Sequence, residues 1–274
     1  MIPEPTGKTH LRRLYAQIAE HYPEEELVYA TLSGMLRRRF VRRVLRGMRG
    51  PLLDVGCNRG VYAASYRHGR VCGIDIAMPA LRHARNRCPA AWLVRGDAEN
   101  LYFLRPQSFR NVLATEVVEH LLDPESCVRG MARALGEGLL LVTTPNYRTV
   151  RPVVGRFHRY REFGIEEDSL PHTAYKPEEL RRMLEPVGGL HVVAAGTVAR
   201  ETRVCQKLAH WVLRLLPWRT DVQSTEGHRR FHRIVIYVYR ALQWTCLLPL
   251  VRLFETDGEF SYAIARRQPE GSET

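Results

Sequence analysis

The residues best equipped for chemistry stand at the ends of four short apolar runs. Leu52-Leu53-Asp54-Val55 leads into Gly56-Cys57-Asn58-Arg59-Gly60, and Asp75 closes Gly73-Ile74-Asp75-Ile76. Asp97 lies in Arg95-Gly96-Asp97-Ala98-Glu99, and Thr115-Glu116 follows Asn111 to Ala114. An apolar strand ending in a glycine turn lets the backbone approach a ligand closely, and a helix beginning beyond it presents free N–H groups. A nucleotide-like cofactor suits that geometry. A dinucleotide site is written G-x-G-x-x-G, with the pyrophosphate at the helix start. Here the spacing is G-x-x-x-G, and Asp54 in front of it would repel a pyrophosphate. The same acid suits the cationic amino-acid end of S-adenosylmethionine.

The elements that must position these residues follow from the pattern around them. Apolar runs at Leu52 to Val55, Val71 to Ile74, Ala91 to Val94, Asn111 to Ala114, Leu139 to Val142 and His191 to Ala195 predict strands. Helical spacing is predicted from Val61, from Met78-Pro79 to before Pro89, from about Pro124 to Leu135, and from Pro177 through Leu184. Strands alternating with helices make βαβ units, so the expected fold is α/β, a doubly wound and mostly parallel sheet. In such sheets ligands sit outside the carboxyl ends of the strands, where the acids stand. The expected division is two helices over 1–50, a cofactor-binding core over 51–203, a helical insertion over 204–257, and a last strand and tail over 258–274. The stretch from Arg148 to Ala174 has no clear period.

The glycine segment resembles the first motif of class I S-adenosylmethionine-dependent methyltransferases, usually D-x-G-x-G-x-G, in the type 11/12 subgroup that writes it LDVGCG. Asn58 replaces the middle glycine, and asparagine is one of the few side chains that tolerates a left-handed backbone. The resemblance covers about Leu52 to Ala195. It implies a seven-stranded sheet whose last strand runs antiparallel to its neighbours. It also implies S-adenosyl-L-methionine as cofactor, held by Asp54, Gly56, Asn58, Gly60, Asp75, Ile76, Asp97, Ala98 and Thr115. Asp75 would take the ribose hydroxyls, Asp97 with Ala98 the adenine, and Thr115 would stand next to the methyl-donor centre.

Thr115-Glu116-Val117-Val118-Glu119-His120 is similar to a stretch of the ubiquinone-type O-methyltransferases and of the small-RNA 2′-O-methyltransferases. Two readings follow from that likeness. In parts of those families the two acids and the histidine bind a divalent metal with a later histidine, which implies Glu116, Glu119, His120 and His172 around a cation such as magnesium. In many other class I enzymes the same segment carries no metal, and His120 packs or hydrogen-bonds beside the cofactor. His120 or His172, with Glu116, would then be the catalytic candidates, an imidazole acting as general base near neutral pH.

The formal net charge of +12 raises the question of an anionic partner. Only Lys8, Lys176 and Lys207 are lysines, and the arginines run from end to end without an appended RNA-binding module, which argues against nucleic acid. The six cysteines show no CxxC pair and suggest neither a disulfide framework nor a zinc site. No apolar stretch follows the first charged residues, so a cytoplasmic protein is expected, with peripheral membrane contact as an addition. The insertion, with Trp211, Trp218 and Trp244 among leucines and arginines, suits a lid, a membrane-surface element, a packing layer or a homodimer interface. The leading functional expectation is methyl transfer to a small or lipid-like acceptor, on oxygen. An RNA methyltransferase and a non-catalytic scaffold with a cofactor fold are the alternatives.

Overall fold

The computed structural model describes residues 7–146, 152–156, 158–165, 169–187, 189–215, 224–255 and 257–267. Two helices, α1 (Lys8–His21) and α2 (Leu32–Gly47), come first, with a π-helical turn at Glu25–Tyr29 between them. The alternation that follows is β1 (Leu52–Val55), β2 (Val71–Asp75), α3 (Met78–Arg87), β3 (Trp92–Arg95), β4 (Asn111–Thr115), α4 (Pro124–Ala134) and β5 (Leu139–Pro145). Beyond β5 come the hairpin strands β6 (Pro152–Arg156) and β7 (Ser169–Thr173), then α5 (Pro177–Leu184) and β8 (Leu190–Val198). Three helices, α6 (Arg200–Leu215), α7 (Thr225–Trp244) and α8 (Leu248–Phe254), precede the closing strand β9 (Phe260–Arg267).

Seven strands form one sheet in the order β3-β2-β1-β4-β5-β9-β8. The first five run parallel, and β9 runs antiparallel to both β5 and β8. Neighbouring residues of the central strands face opposite sides, as the two-residue period requires. Leu53, Val55, Val112, Ala114, Leu140 and Val142 pack on one side with residues of α4 and α5. Leu52, Leu113 and Leu141 pack on the other with Val41 and Leu45 of α2. This is the doubly wound class I methyltransferase fold. The strand order reverses between β1 and β4, which opens a crevice at their carboxyl ends.

Three local expectations are corrected. The helix expected from Val61 is a single 3₁₀ turn, Ala63–Ser65. The chain must return to β2 within a few residues, and Tyr66 is tied by its hydroxyl to the carbonyl of Gly50 at 2.7 Å, so there is no room for further turns. The aperiodic stretch after β5 contains the antiparallel pair β6 and β7; too few paired residues alternate there for the period to show. The helical insertion, read from the sequence as two amphipathic segments between Val204 and Phe254, holds parts of three helices, because Cys246 adopts a left-handed backbone (φ 58°) that breaks the run after Trp244. Among the described residues no helix is long and apolar enough to cross a membrane, and all six cysteines are free.

Helix caps place the chain entries. Thr31 accepts the Gly34 N–H at 3.1 Å, Asp123 accepts the Ser126 N–H at 2.9 Å with Pro124 at the first position of α4, and Ser224 accepts the Gly227 N–H at 3.1 Å. Gly34 is needed for a second reason: a Cβ there would lie 2.1 Å from the Val28 carbonyl oxygen. The obstacle is backbone and cannot rotate away. Gly34→Ala is therefore expected to destabilise by about 1–3 kcal/mol, read as a melting temperature lower by several degrees.

Candidate active site

A cavity of about 500 Å³ opens at the carboxyl ends of the parallel strands. That volume lies within the range of small-molecule sites. Its sheet side carries Gly56, Asn58, Asp75, Asp97 and Glu116, and α1 and the turn after it cover it with Leu11, Tyr15 and Glu24. Gln206 of α6 and His232 of α7 also reach it, so the insertion contributes to its wall.

The turn after β1 is held in an unusual backbone. Gly56 has φ 65°, and a Cβ on it would stand 2.4 Å from a Val117 methyl. Asn58 is left-handed as expected (φ 46°), and its side-chain amide donates to Glu24 Oε2 at 2.6 Å. Gly60 closes the turn through its N–H to the Cys57 carbonyl at 2.8 Å and packs against Ala84 and Cys88. Asp75 stands at the end of β2; its Oδ2 accepts the Asn58 N–H at 2.8 Å and its Oδ1 the Ala77 N–H at 2.9 Å. Burial raises the Asp75 pKa, and those backbone N–H groups offset part of the rise.

The far end of the nucleotide wall is closed by Lys8. Its ammonium lies 3.1 Å from Asp97 and 2.7 Å from Glu99. Asp97 also accepts the Glu99 N–H, and Glu99 accepts the N–H groups of Leu122 and Asp123. The first turn of α1 is thereby fastened to the loop after β3.

Four of the expected catalytic or metal residues do line the same cavity: Glu116, Glu119, His120 and His172. Their arrangement is not that of metal ligands. Among the described residues no group of three or more His, Cys, Asp or Glu side chains is gathered to hold a metal ion. The physical reason is Arg37. Its guanidinium lies 2.5 Å from Glu116 Oε2, while Thr143 donates to Glu116 Oε1 at 3.0 Å. A fixed cation thus occupies the place beside Glu116. Arg37 is buried, with its guanidinium 4.7 Å from the centre of the Phe260 ring, and its Nε has no hydrogen-bond partner. Burial works against its charge, but Glu116 and the nearby phenols hold its pKa above the ordinary arginine value.

Glu116 itself has a left-handed backbone (φ 56°), a strained setting for a non-glycine residue at the end of a strand. Glu119 is 1% exposed, neither of its oxygens has a partner at hydrogen-bond geometry, and His120 Nε2 stands 3.8 Å away. Burial, with Glu116 adding to it, pushes the Glu119 pKa well up. The rings of His120 and His172 are 5.0 Å apart, and burial lowers the His172 pKa. At neutral pH His172 is a neutral imidazole able to accept a proton.

Of the expected cofactor residues, Gly56, Asn58, Asp75, Ile76, Asp97 and Ala98 line the cavity, whereas Asp54, Gly60 and Thr115 do not. Asp54 is 1% exposed beneath the turn, with both oxygens outside hydrogen-bond geometry. Its carboxyl lies outside the cavity lining. Lys8, Glu24, Arg37 and Glu259 line the cavity without having been anticipated. A signal for Arg37 existed: it falls on the stripe Gly34, Arg37, Val41 and Leu45 that α2 buries. Nothing local marks the other three.

Comparison with known proteins agrees with this architecture. Residues 53–143 match the family model described as methyltransferase domain. A Mycobacterium tuberculosis protein named a probable S-adenosylmethionine-dependent methyltransferase is 33% identical over 123 residues, which are 42% of this chain and 44% of that protein. The ubiquinone biosynthesis O-methyltransferase of Idiomarina loihiensis is 29% identical over 167 residues, 55% of this chain and 66% of that one. The chain thus spans about half to two thirds of the length of these relatives. Among solved structures, the [4+2]-cyclase SpnF superposes with a TM-score of 0.60 at 16% identity, covering 96% of this chain and 97% of that one. Phosphoethanolamine N-methyltransferase 2 of Haemonchus contortus, in complex with S-adenosyl-L-methionine, superposes at 0.52 and 14% identity, covering 85% of this chain and 52% of that one. These likenesses concern the fold.

Asp54 makes a pH-dependent contribution whose sign can be worked out. Burial, and then the neighbouring Asp75, raise its pKa from 3.8 to about 7, with the Ala63 backbone amide offsetting part of the rise. A folded-state pKa above the unfolded one means that the folded chain keeps the proton longer. Stability from this group is fully present below about pH 4 and is lost as pH rises through about 7. Asp54→Asn is expected to melt above the native protein by a margin that widens from pH 5 to pH 8. Identical pH dependence of the two melting temperatures would refute this account of Asp54.

Proposed function

We propose that the chain transfers a methyl group from S-adenosyl-L-methionine to an oxygen of a small or lipid-like acceptor. The observation that carries the reading is the single cavity at the carboxyl ends of the strands, which joins the turn of Gly56 and Asn58, Asp75 and Asp97 to a pair of histidines. The buried Arg37 and Glu119, with unpartnered polar atoms on that cavity, are what a polar ligand would satisfy. When bound, the cofactor supplies a sulfonium-activated methyl carbon.

The roles of the chain's own residues follow from their positions. Asp75 accepts from the ribose hydroxyls with its remaining lone pairs, and Ile76 flanks the same edge. Asp97 and Ala98 border the adenine. Gly56 and Asn58 admit the backbone to the ligand, and Gly60 closes the turn they form. Thr115 acts from beneath by ending β4. The amino-acid end of the cofactor falls to Arg37 and Glu116, one charge of each sign for a zwitterion, in place of Asp54. His172, with His120 beside it, takes the proton of the acceptor hydroxyl as its oxygen attacks. Leu11, Leu27, Val28 and Phe260 give the cavity apolar wall for an apolar acceptor. Positioning in such a site can provide much of the acceleration. The O-methyltransferase relatives support oxygen as the acceptor atom.

The reading is tested by calorimetry with S-adenosylmethionine and S-adenosylhomocysteine. Native protein is expected to bind both, and Asp75→Ala and Arg37→Gln to bind at least about tenfold more weakly, the size of a lost charge-assisted hydrogen bond. A folded native protein that binds neither ligand would end the methyltransferase reading. With an acceptor from a screen of hydroxylated aromatic and lipid-like compounds, His172→Gln is expected to lower kcat and flatten the acidic limb of the pH profile, with cofactor affinity unchanged.

A further inference from the structure

One helix face of α2 carries Arg39, Arg42, Arg43 and Arg46, spaced i, i+3, i+4 and i+7, so the four guanidiniums emerge side by side. All four residues are exposed. None of them forms an ion pair among the described residues, and no aspartate or glutamate occurs between Leu27 and Leu53 to neutralise them. Four like charges on two turns repel one another, which is a cost that a folded chain sustains most easily where an opposite charge can meet it.

The neighbouring surface has a second peculiarity. α2 packs against α7 through Leu32, Leu36, Phe231 and Val235. Tyr239 of α7 lies close enough to both Arg39 of α2 and Arg252 of α8 to feel their charge, so the arginine face adjoins the corner where α7 meets α8. That corner is apolar and exposed. Trp244 is 87% exposed and Leu253 72% exposed, and Tyr237, Leu247 and Leu250 are also exposed. No acidic residue occurs between Glu226 and Glu255. A run of exposed aromatic and aliphatic side chains bordered by uncompensated arginines has the composition of an interfacial element, with the rings and leucines seated at the headgroup boundary and the arginines on anionic headgroups.

We propose that the arginine face of α2 and the apolar corner of α7 and α8 together dock this protein on an anionic lipid surface. The partner is a bilayer and not an RNA because a polyanion in water gives no reason to hold Trp244, Leu250 and Leu253 in solvent. It is not a second copy of the chain because two such faces would bring the arginines of both copies together. Docking by this face is independent of methyl transfer in the cavity. Gln206 and His232, from α6 and α7, reach the cavity, so a docked protein would hold one wall of its cavity close to the lipid.

Co-sedimentation of the full chain with vesicles tests the proposal. Vesicles containing about 30 mol% phosphatidylglycerol should capture the protein and phosphatidylcholine vesicles should not, and raised salt should weaken the capture. The Arg39→Glu/Arg43→Glu and Trp244→Ser/Leu253→Ser pairs should each reduce partitioning about tenfold or more, with circular dichroism melts unchanged. Brominated phosphatidylglycerol should quench the tryptophan fluorescence of the native chain, a readout that needs no variant. Absence of vesicle binding by the native chain overturns the proposal, as does binding that both variant pairs retain. A native dimer by light scattering that Trp244→Ser/Leu253→Ser converts to monomer would instead assign the face to contact between copies. Retention of RNA without retention of vesicles, lost only in the arginine variant, would assign it to nucleic acid.

Discussion

The structure depends on how carboxyl groups are kept out of water around one cavity. Glu24, Asp54, Asp75, Glu116, Glu119 and Glu259 are all held with pKa values raised by burial. Removing so many acids from water is costly unless each finds a donor, a cation or a proton. The chain uses all three. Asp75 has backbone N–H groups, Glu24 has the Asn58 amide, Glu259 has the Ser33 hydroxyl, Glu116 has Arg37, and Glu119 is shifted by burial toward its protonated form. The arrangement favours a ligand bearing hydroxyls and a zwitterion over one bearing phosphate.

Arg37 links the two halves of this arrangement. It comes from a helix outside the alternating βα core, yet it sits beside an acid at the end of β4 and under the ring of Phe260 at the start of β9. The helices that precede the sheet are therefore part of the site. The same holds at the other end, where Lys8 joins α1 to Asp97 and Glu99. A core truncated at residue 51 would retain the sheet and lose both cations of the cavity wall.

Much of the fold was legible in the sequence because parallel strands buried on both faces are short apolar runs separated by helical spacing. The runs at Leu52, Val71 and Asn111 became strands within a residue of the expected bounds, the run at Leu139 extends three residues further, and Asn58 adopts the left-handed backbone its chemistry permits. The helix expected at Val61 failed because its length is decided by the distance back to β2 and by the anchoring of Tyr66, and neither is a local property. The cavity's sheet side was legible for the same reason as the strands: Asp75, Asp97 and Glu116 sit at strand ends. Its remaining walls were not. Lys8, Glu24 and Glu259 are ordinary surface residue types until tertiary contacts bring them together. Asp54 is buried beneath the turn and outside the cavity lining, a placement that its spacing in the sequence does not reveal.

The fastening of α1 by Lys8 bears on traffic through the cavity. The helix lies across the ligand wall, with Tyr15 and Ala19 against residues of α3 and the loop before it. A ligand seated in the cavity is therefore held on one side by a short amphipathic helix. Its detachment breaks two ion pairs and the Arg59 bond to the Ala19 carbonyl, and uncovers the two apolar clusters that Leu11, Leu14, Tyr15 and Ala19 help to form. Residence time at the site then depends on the helix Lys8–His21 as well as on the sheet beneath it.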